Sequence, residues 1–153
     1  VAPIVFNVAK GSIRHYFGLP AANDGLVVLL LKSAGLVSDD VLADYADVAA
    51  LLAGASDEAD FTNYTRKSIT SSITITQDNT NNRVDIDVPD QTWSSAGGAA
   101  NNSLGKLVVA YDPDTTTPGD AALIPLVAFD FVATTDGTNL VAEVNAAGLA
   151  RAA

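Results

Sequence analysis

The sequence predicts a mainly β domain, a β-sandwich or a partly open barrel, with one short α-helix near residues 45–53 and an extended N-terminal arm. Three observations carry that expectation. From Phe61 onward, apolar residues recur at a period of two with Thr, Ser and Asp between them, the pattern of half-buried strands. Polar or glycine-bearing turns separate those runs. The one stretch with helical spacing, between Ser38 and Gly54, is short. Residues 1–25 read as the arm and 26–153 as a single β-rich domain, and 48% apolar side chains suffice for one self-standing core.

The elements follow in order. Residues 26–31 form an unbroken apolar run between Asn23-Asp24-Gly25 and Ser33-Ala34-Gly35, which predicts a strand buried on both faces. Val41, Leu42, Tyr45, Val48, Leu51 and Leu52 then fall on one side of a helix. Asp44 and Asp47 are placed to cap its first turn, so the helix proper starts near Tyr45 after a turn over 38–43, and Gly54 permits its stop. Ile69, Ser71, Ile73 and Ile75 alternate with Thr70, Ser72, Thr74 and Thr76, predicting a strand with one mostly apolar and one hydroxyl-lined face. A polar turn over 78–82 leads to a second strand with Val84, Ile86 and Val88 facing in and Asp85 and Asp87 facing out, closing a hairpin. After a small-residue loop over 94–102 come strands over 106–111, 123–133 and 139–144. The 123–133 run is apolar on both alternations and belongs inside a sheet, with Pro125 near its start or at a bulge because it donates no ladder hydrogen bond.

Composition excludes several kinds of chemistry. There is no cysteine, hence no disulfide scaffold, thiolate metal site or cysteine nucleophile. Eighteen acidic against eight basic side chains give a net charge of -10, which opposes capture of nucleic acid or anionic lipid by charge. The charge is uneven: residues 1–32 hold Lys10, Arg14 and Lys32 against Asp24, a balance of +2, leaving -12 for the rest. The arm therefore suits an acidic partner surface or its own acidic body. The first twenty residues lack a secretory pattern, since Asn7, Lys10, Arg14 and His15 break the apolar positions, and 26–31 is too short to span a membrane. The absence of methionine behind Val1 and Ala2 suggests cytoplasmic synthesis with the initiator removed.

No set of residues declares a reaction. His15 is the only imidazole and has no nucleophile-elbow pattern beside it, so a packed or interface histidine next to Tyr16 and Phe17 is the favoured reading. Asp78, Thr80 and Asn82 imitate the front of a calcium loop, but Arg83 stands where glycine is needed and Pro89 where glutamate is needed. Asp85 and Asp87 point the same way on their strand and read as a solvated face, with an opportunistic cation between them and Asp90 as the alternative. Gly97 and Gly98 form no phosphate-binding pattern, and Trp93 reads as a core or interface anchor. The expectation is no catalytic, cofactor-binding or metal residue and no cofactor. Phe6, Arg14, Tyr16 and Phe17 are the expected interface residues, because residues 1–19 combine aromatic anchors with net positive charge.

Several motifs together carry a resemblance: Phe61-Thr62-Asn63-Tyr64-Thr65-Arg66-Lys67, Asn81-Asn82-Arg83-Val84-Asp85-Ile86-Asp87, Pro89-Asp90-Gln91-Thr92-Trp93 and Asn101-Asn102-Ser103-Leu104-Gly105-Lys106-Leu107. Tyr111-Asp112-Pro113-Asp114, Ile124-Pro125-Leu126, the Asp130-Phe131 pair with Thr134-Thr135-Asp136-Gly137, and the 148–153 end extend it over about residues 26–153. The chain resembles a family of small virion structural proteins of tailed double-stranded DNA bacteriophages, common in phages of actinobacteria. Relatives carry labels such as minor capsid, head decoration or minor tail protein. The resemblance implies a non-enzymatic, β-rich building block at the capsid surface of the virion. Its partners would be the major capsid protein lattice and further copies of itself in a symmetric assembly, with no nucleic acid and no membrane. A tail-associated structural protein is the alternative, and a host-surface glycan-binding β-domain using Trp93 or Asp85 is a third reading.

Overall fold

A computed structural model describes residues 3–117 and 119–152; Val1 and Ala2 of the expected arm, Pro118 and Ala153 lie outside the described residues. In chain order the elements are β1 (Ile4–Val5), α1 (Ile13–Phe17), β2 (Gly25–Lys32), α2 (Asp39–Leu42), α3 (Val48–Gly54), β3 (Lys67–Ile69), β4 (Thr74–Asp78), β5 (Arg83–Asp87), β6 (Gln91–Trp93), β7 (Ser103–Asp112), β8 (Ile124–Thr134), β9 (Leu140–Ala142) and β10 (Ala150–Ala152). The fold is mainly β. A five-stranded antiparallel sheet ordered β1-β8-β7-β2-β3 forms the frame. Two smaller sheets, β10-β5-β4 and β6-β9, accompany it, and no sheet closes into a barrel.

β2 explains the layering. Leu26, Val28 and Leu30 face one core cluster, while Val27, Leu29 and Leu31 face the other. The first cluster takes in Ile86, Trp93 and Leu140 of the small sheets; the second takes in Leu42, Val48 and Leu51 of α2 and α3. A strand apolar on both faces is stable only between two apolar layers, each large side chain adding about 1.5–3 kcal/mol when fully buried. The sheet therefore lies between a helical layer and a β layer.

The helix begins later than the expected pair of caps implied, because Asp47 caps it and Asp44 does not. Asp47 is extended and its carboxylate accepts the Ala50 amide at 2.7 Å, so α3 starts at Val48, not Tyr45. The expected preceding turn includes the four residues of α2. Together with α1 that makes three α-helices among the described residues, of which α3 is the longest.

Pro125 sits second in β8, beside a bulge: Val109 pairs with Val127 while Ala110 pairs with Pro125, so Leu126 is the extra residue. That is the position a residue without an amide hydrogen can occupy. The expected hairpin forms as β4 and β5, with Thr74 opposite Asp87 and Asp78 opposite Arg83. The strand expected over 69–76 is instead two. Ile69 ends β3 in the frame sheet, Ser72 turns the chain with φ of 62°, and β4 restarts at Thr74 in another sheet. The period of two continues across the break because both pieces are half-buried, which hides the change of sheet from the sequence pattern.

The N-terminal segment is not an extended arm. β1 pairs with Val127 and Ala128, a 3-10 turn spans Asn7–Ala9, and α1 follows. Phe6 is buried in the helix-side cluster, whereas Ala9 and Phe17 are buried in the opposite one. The segment thus straddles the sheet and contributes to both cores. Phe6→Ala and Phe17→Ala should each cost about 3–5 kcal/mol in urea unfolding, the range for truncating a buried phenylalanine. Losses under about 1 kcal/mol would mean that the segment is undocked in solution.

Candidate functional site

The sequence pointed to the N-terminal segment as the contact region, and the fold divides that segment into an inner and an outer face. Phe6 and Phe17 are core residues with 0% and 1% exposure, so neither meets a partner without opening the domain. Tyr16 is half-buried, its ring 4.9 Å from that of Tyr111. The Tyr111 hydroxyl donates to the buried Asp24 carboxylate at 2.9 Å; burial, and then that neighbouring carboxylate, push its pKa up to about 12. Of the four expected interface residues only Arg14 is exposed. His15 is exposed beside it, edge-on to Tyr16 at 5.4 Å. An aromatic next to a cation reads alike in sequence whether the ring points outward or inward, which is why the two faces were merged.

The remaining cations are mostly consumed inside the acidic body. Lys32 pairs with Asp60 at 2.8 Å, and that contact holds the Asp60 carboxyl below the usual range. Arg83 lies 3.0 Å from Asp85 and 3.2 Å from Asp78, and Arg151 reaches Asp85 at 2.7 Å. Lys67 stands 5.5 Å over the Trp93 ring. Lys10 and Arg14 are exposed and make no ion pair among the described residues. The outer face of the N-terminal segment therefore carries two cations without an ion pair among the described residues; Lys10 donates to Asn7 at 2.6 Å, and Asn7 in turn donates to the exposed Asp44 carboxylate at 2.6 Å.

Two polar centres escaped the sequence reading. Arg66 forms a fork: Nε and Nη2 donate to Glu58 at 2.8 and 2.7 Å, while Nη1 reaches Asp120 at 2.5 Å. The Tyr64 hydroxyl donates to Glu58 at 2.7 Å and accepts the Leu30 amide at 3.1 Å, which ties this network to β2. Burial drives the Tyr64 pKa well above the usual phenol value. The second centre is Lys106, 4% exposed on β7, held between Asp39 of α2 at 2.8 Å and Asp130 of β8. Burial would lower the Lys106 pKa, but its hydrogen bonds to Asp130 and Asp39 outweigh that and raise it. Arg66 and Asp120 are far apart in the chain, so no local spacing signals the first centre. A lone cation inside the apolar run 104–110 was the available signal for the second.

The carboxylates of β5 do not converge. Asp85 is taken by its two arginines, Asp87 accepts the amide of Val88, and Asp90 accepts the amide of Val144 at 2.7 Å. Among the described residues no group of three His, Asp or Glu side chains is arranged to hold a metal ion. Trp93 is 1% exposed and donates its indole hydrogen to the Thr65 carbonyl at 2.8 Å, so its ring offers no stacking face to a sugar. No described helix is long and apolar enough to cross a membrane. Comparison with family models, with curated proteins and with solved structures gives no match.

Arg66→Ala strands Glu58 and Asp120 and should cost about 2–3 kcal/mol, the scale of hydrogen bonds to charged groups. Because Arg66 holds the Asp120 pKa below its unfolded value of about 3.9, this carboxylate stabilises the fold above that pH and loses its contribution as pH falls through the lower folded value. The stability gap between the parent chain and Asp120→Asn should accordingly be present at neutral pH and close in acid. Denaturant titrations at several pH values read it directly, and a gap independent of pH would contradict the assigned pair.

Proposed function

We propose that the chain is a non-enzymatic structural protein of a tailed-bacteriophage virion, a decoration or minor capsid protein that binds and stabilises the major capsid lattice from outside. The observation that carries this reading is the set of motifs resembling small phage virion proteins over residues 26–153. Those motifs supply the fasteners of the fold. Phe61 and Trp93 are core residues, Tyr64 and Arg66 belong to the network under β2, Lys106 clamps α2 to β8, and Asn102 accepts the amides of Asp60 and Phe61 at 2.8 and 3.0 Å. A resemblance concentrated in such residues preserves an architecture more than a reaction.

The surface charge suits the same reading. Net charge of -10 keeps isolated copies apart before assembly and disfavours packaged DNA as a partner. Lys10 and Arg14 supply the complementary point of contact for an acidic lattice protein, anchored from beneath by Phe6 and Phe17. Many copies on a symmetric lattice gain avidity, so each contact can be small.

Gold labelling of a tagged copy in purified particles tests the assignment. Signal spread over heads in many copies is the expected result; signal confined to tails would replace decoration with the tail-associated alternative, and absence from particles would overturn both. Deleting the whole segment is the wrong probe of contact, since it removes core side chains. Lys10→Glu with Arg14→Glu leaves Phe6 and Phe17 in place and should lower capsid occupancy several-fold with unchanged thermal unfolding. Unchanged occupancy would move the contact elsewhere on the surface.

A further inference from the structure

The two layers of the β side do not close along the β8 edge. Between them lies an open cleft of about 280 Å³. Leu107, Val109, Phe129 and Phe131 of the frame sheet form one wall, and Val144 and Leu149 belong to the other. A cavity of roughly 150 Å³ lined by apolar groups already accepts a benzene ring, so this space takes a leucine or phenylalanine side chain.

The cleft opens beside backbone that no described strand pairs. β1 covers β8 only at Val127 and Ala128. Continuing that register would set Pro3 opposite Phe129, and proline has no amide hydrogen to extend the ladder. Farther along, Leu104 pairs with Ala133 while Lys106 pairs with Asp130, a bulge that limits regular pairing to the first few residues beyond Ala128. Val132, in that bulge, is 88% exposed, the most exposed large apolar side chain among the described residues.

Charge selects the occupant. The only charged residues in the cleft lining are Asp130 and Glu143, with no cation. Asp130 is committed to Lys106, whereas Glu143 is exposed and makes no ion pair among the described residues. The exposed Asp90, bonded to the Val144 amide, stands on the same wall. A second copy would bring another net charge of -10 to this acidic rim, which disfavours the chain as its own partner.

We propose that the β8 edge and its cleft dock a short extended segment of a partner protein that carries one large apolar side chain with Lys or Arg two residues to either side, on the same face of the strand. The backbone of the segment adds to the edge beyond Ala128, its apolar side chain enters the cleft, and its cations meet Glu143 and Asp90. This stands on the cleft and the edge and holds independently of the assembly to which the chain belongs.

The test uses blocked heptapeptides and the full chain. One peptide has a central leucine with lysine two residues to either side and threonine at the intervening positions, so that all three test side chains share one face; the controls replace the leucine with serine or both lysines with glutamate. The lysine–leucine peptide should bind saturably, weaken as salt rises, and protect amides of β8 and of 142–145 from hydrogen exchange. Each control should bind about tenfold more weakly or worse, a difference of about 1.4 kcal/mol. Ala142→Phe, which fills the cleft, and Glu143→Lys, which reverses the rim, should each weaken the lysine–leucine peptide by a similar factor. If Ala142→Phe fails to fold, Glu143→Lys and the control peptides decide alone. No saturable binding, equal binding of the glutamate–leucine peptide, or affinity unchanged in the folded variants overturns the proposal. So does dimerisation that protects the same amides without peptide, because the occupant would then be a second copy.

Discussion

The two-sided burial of β2 is the constraint from which the rest of the architecture follows. Its seven residues from Gly25 to Leu31 are all buried, so apolar layers are required above and below, and no strand of the frame could face water along its whole length. α2 and α3 are too short to be stable alone; they persist because Leu42, Val48 and Leu51 cover the odd-numbered side chains of β2. The small sheets do the same for the even-numbered ones through Ile86 and Trp93. The N-terminal segment joins the two halves, since Phe6 belongs to one layer and Phe17 to the other.

Polar side chains then fasten the layers at their margins. The Arg66 fork and the Lys106 clamp both lie where a strand of the frame meets another element, and each leaves a carboxylate partly in water. Full burial of both partners would exact a larger desolvation cost, which these pairs reduce by keeping a carboxylate in contact with water. Using cations inward in this way has an outward effect. The body presents carboxylates and hydroxyls, and among the described residues the exposed cations without an ion pair are Lys10 and Arg14.

Much of the architecture was legible in the sequence, for reasons that also mark the limits. β2, β5 and β8 announce themselves because strand burial is a property of consecutive residues, and Pro125 carries its own backbone rule. Asp47 was visible as a cap, but taking Asp44 with it placed the helix start near Tyr45, ahead of Val48. The split between β3 and β4 was hidden, because a chain that passes from one sheet to another can keep its alternation. Phe6 and Phe17 looked like anchors for a partner because burial against the chain itself and burial against another molecule demand the same side chains. The Arg66 network and the cleft beside β8 were beyond reach, since both are made by residues brought together only through the order β1-β8-β7-β2-β3.

That order also has a consequence in time. β1 is completed before every other strand of the frame, yet the edge it joins lies more than a hundred residues later, in β8. While the chain is still emerging from the ribosome, Phe6 has no frame to enter and β2 has no neighbour at β7. Contacts so distant in sequence make folding slow and concentrate it after the last frame strand has appeared. Until then the most apolar strand of the molecule is open to the wrong partners.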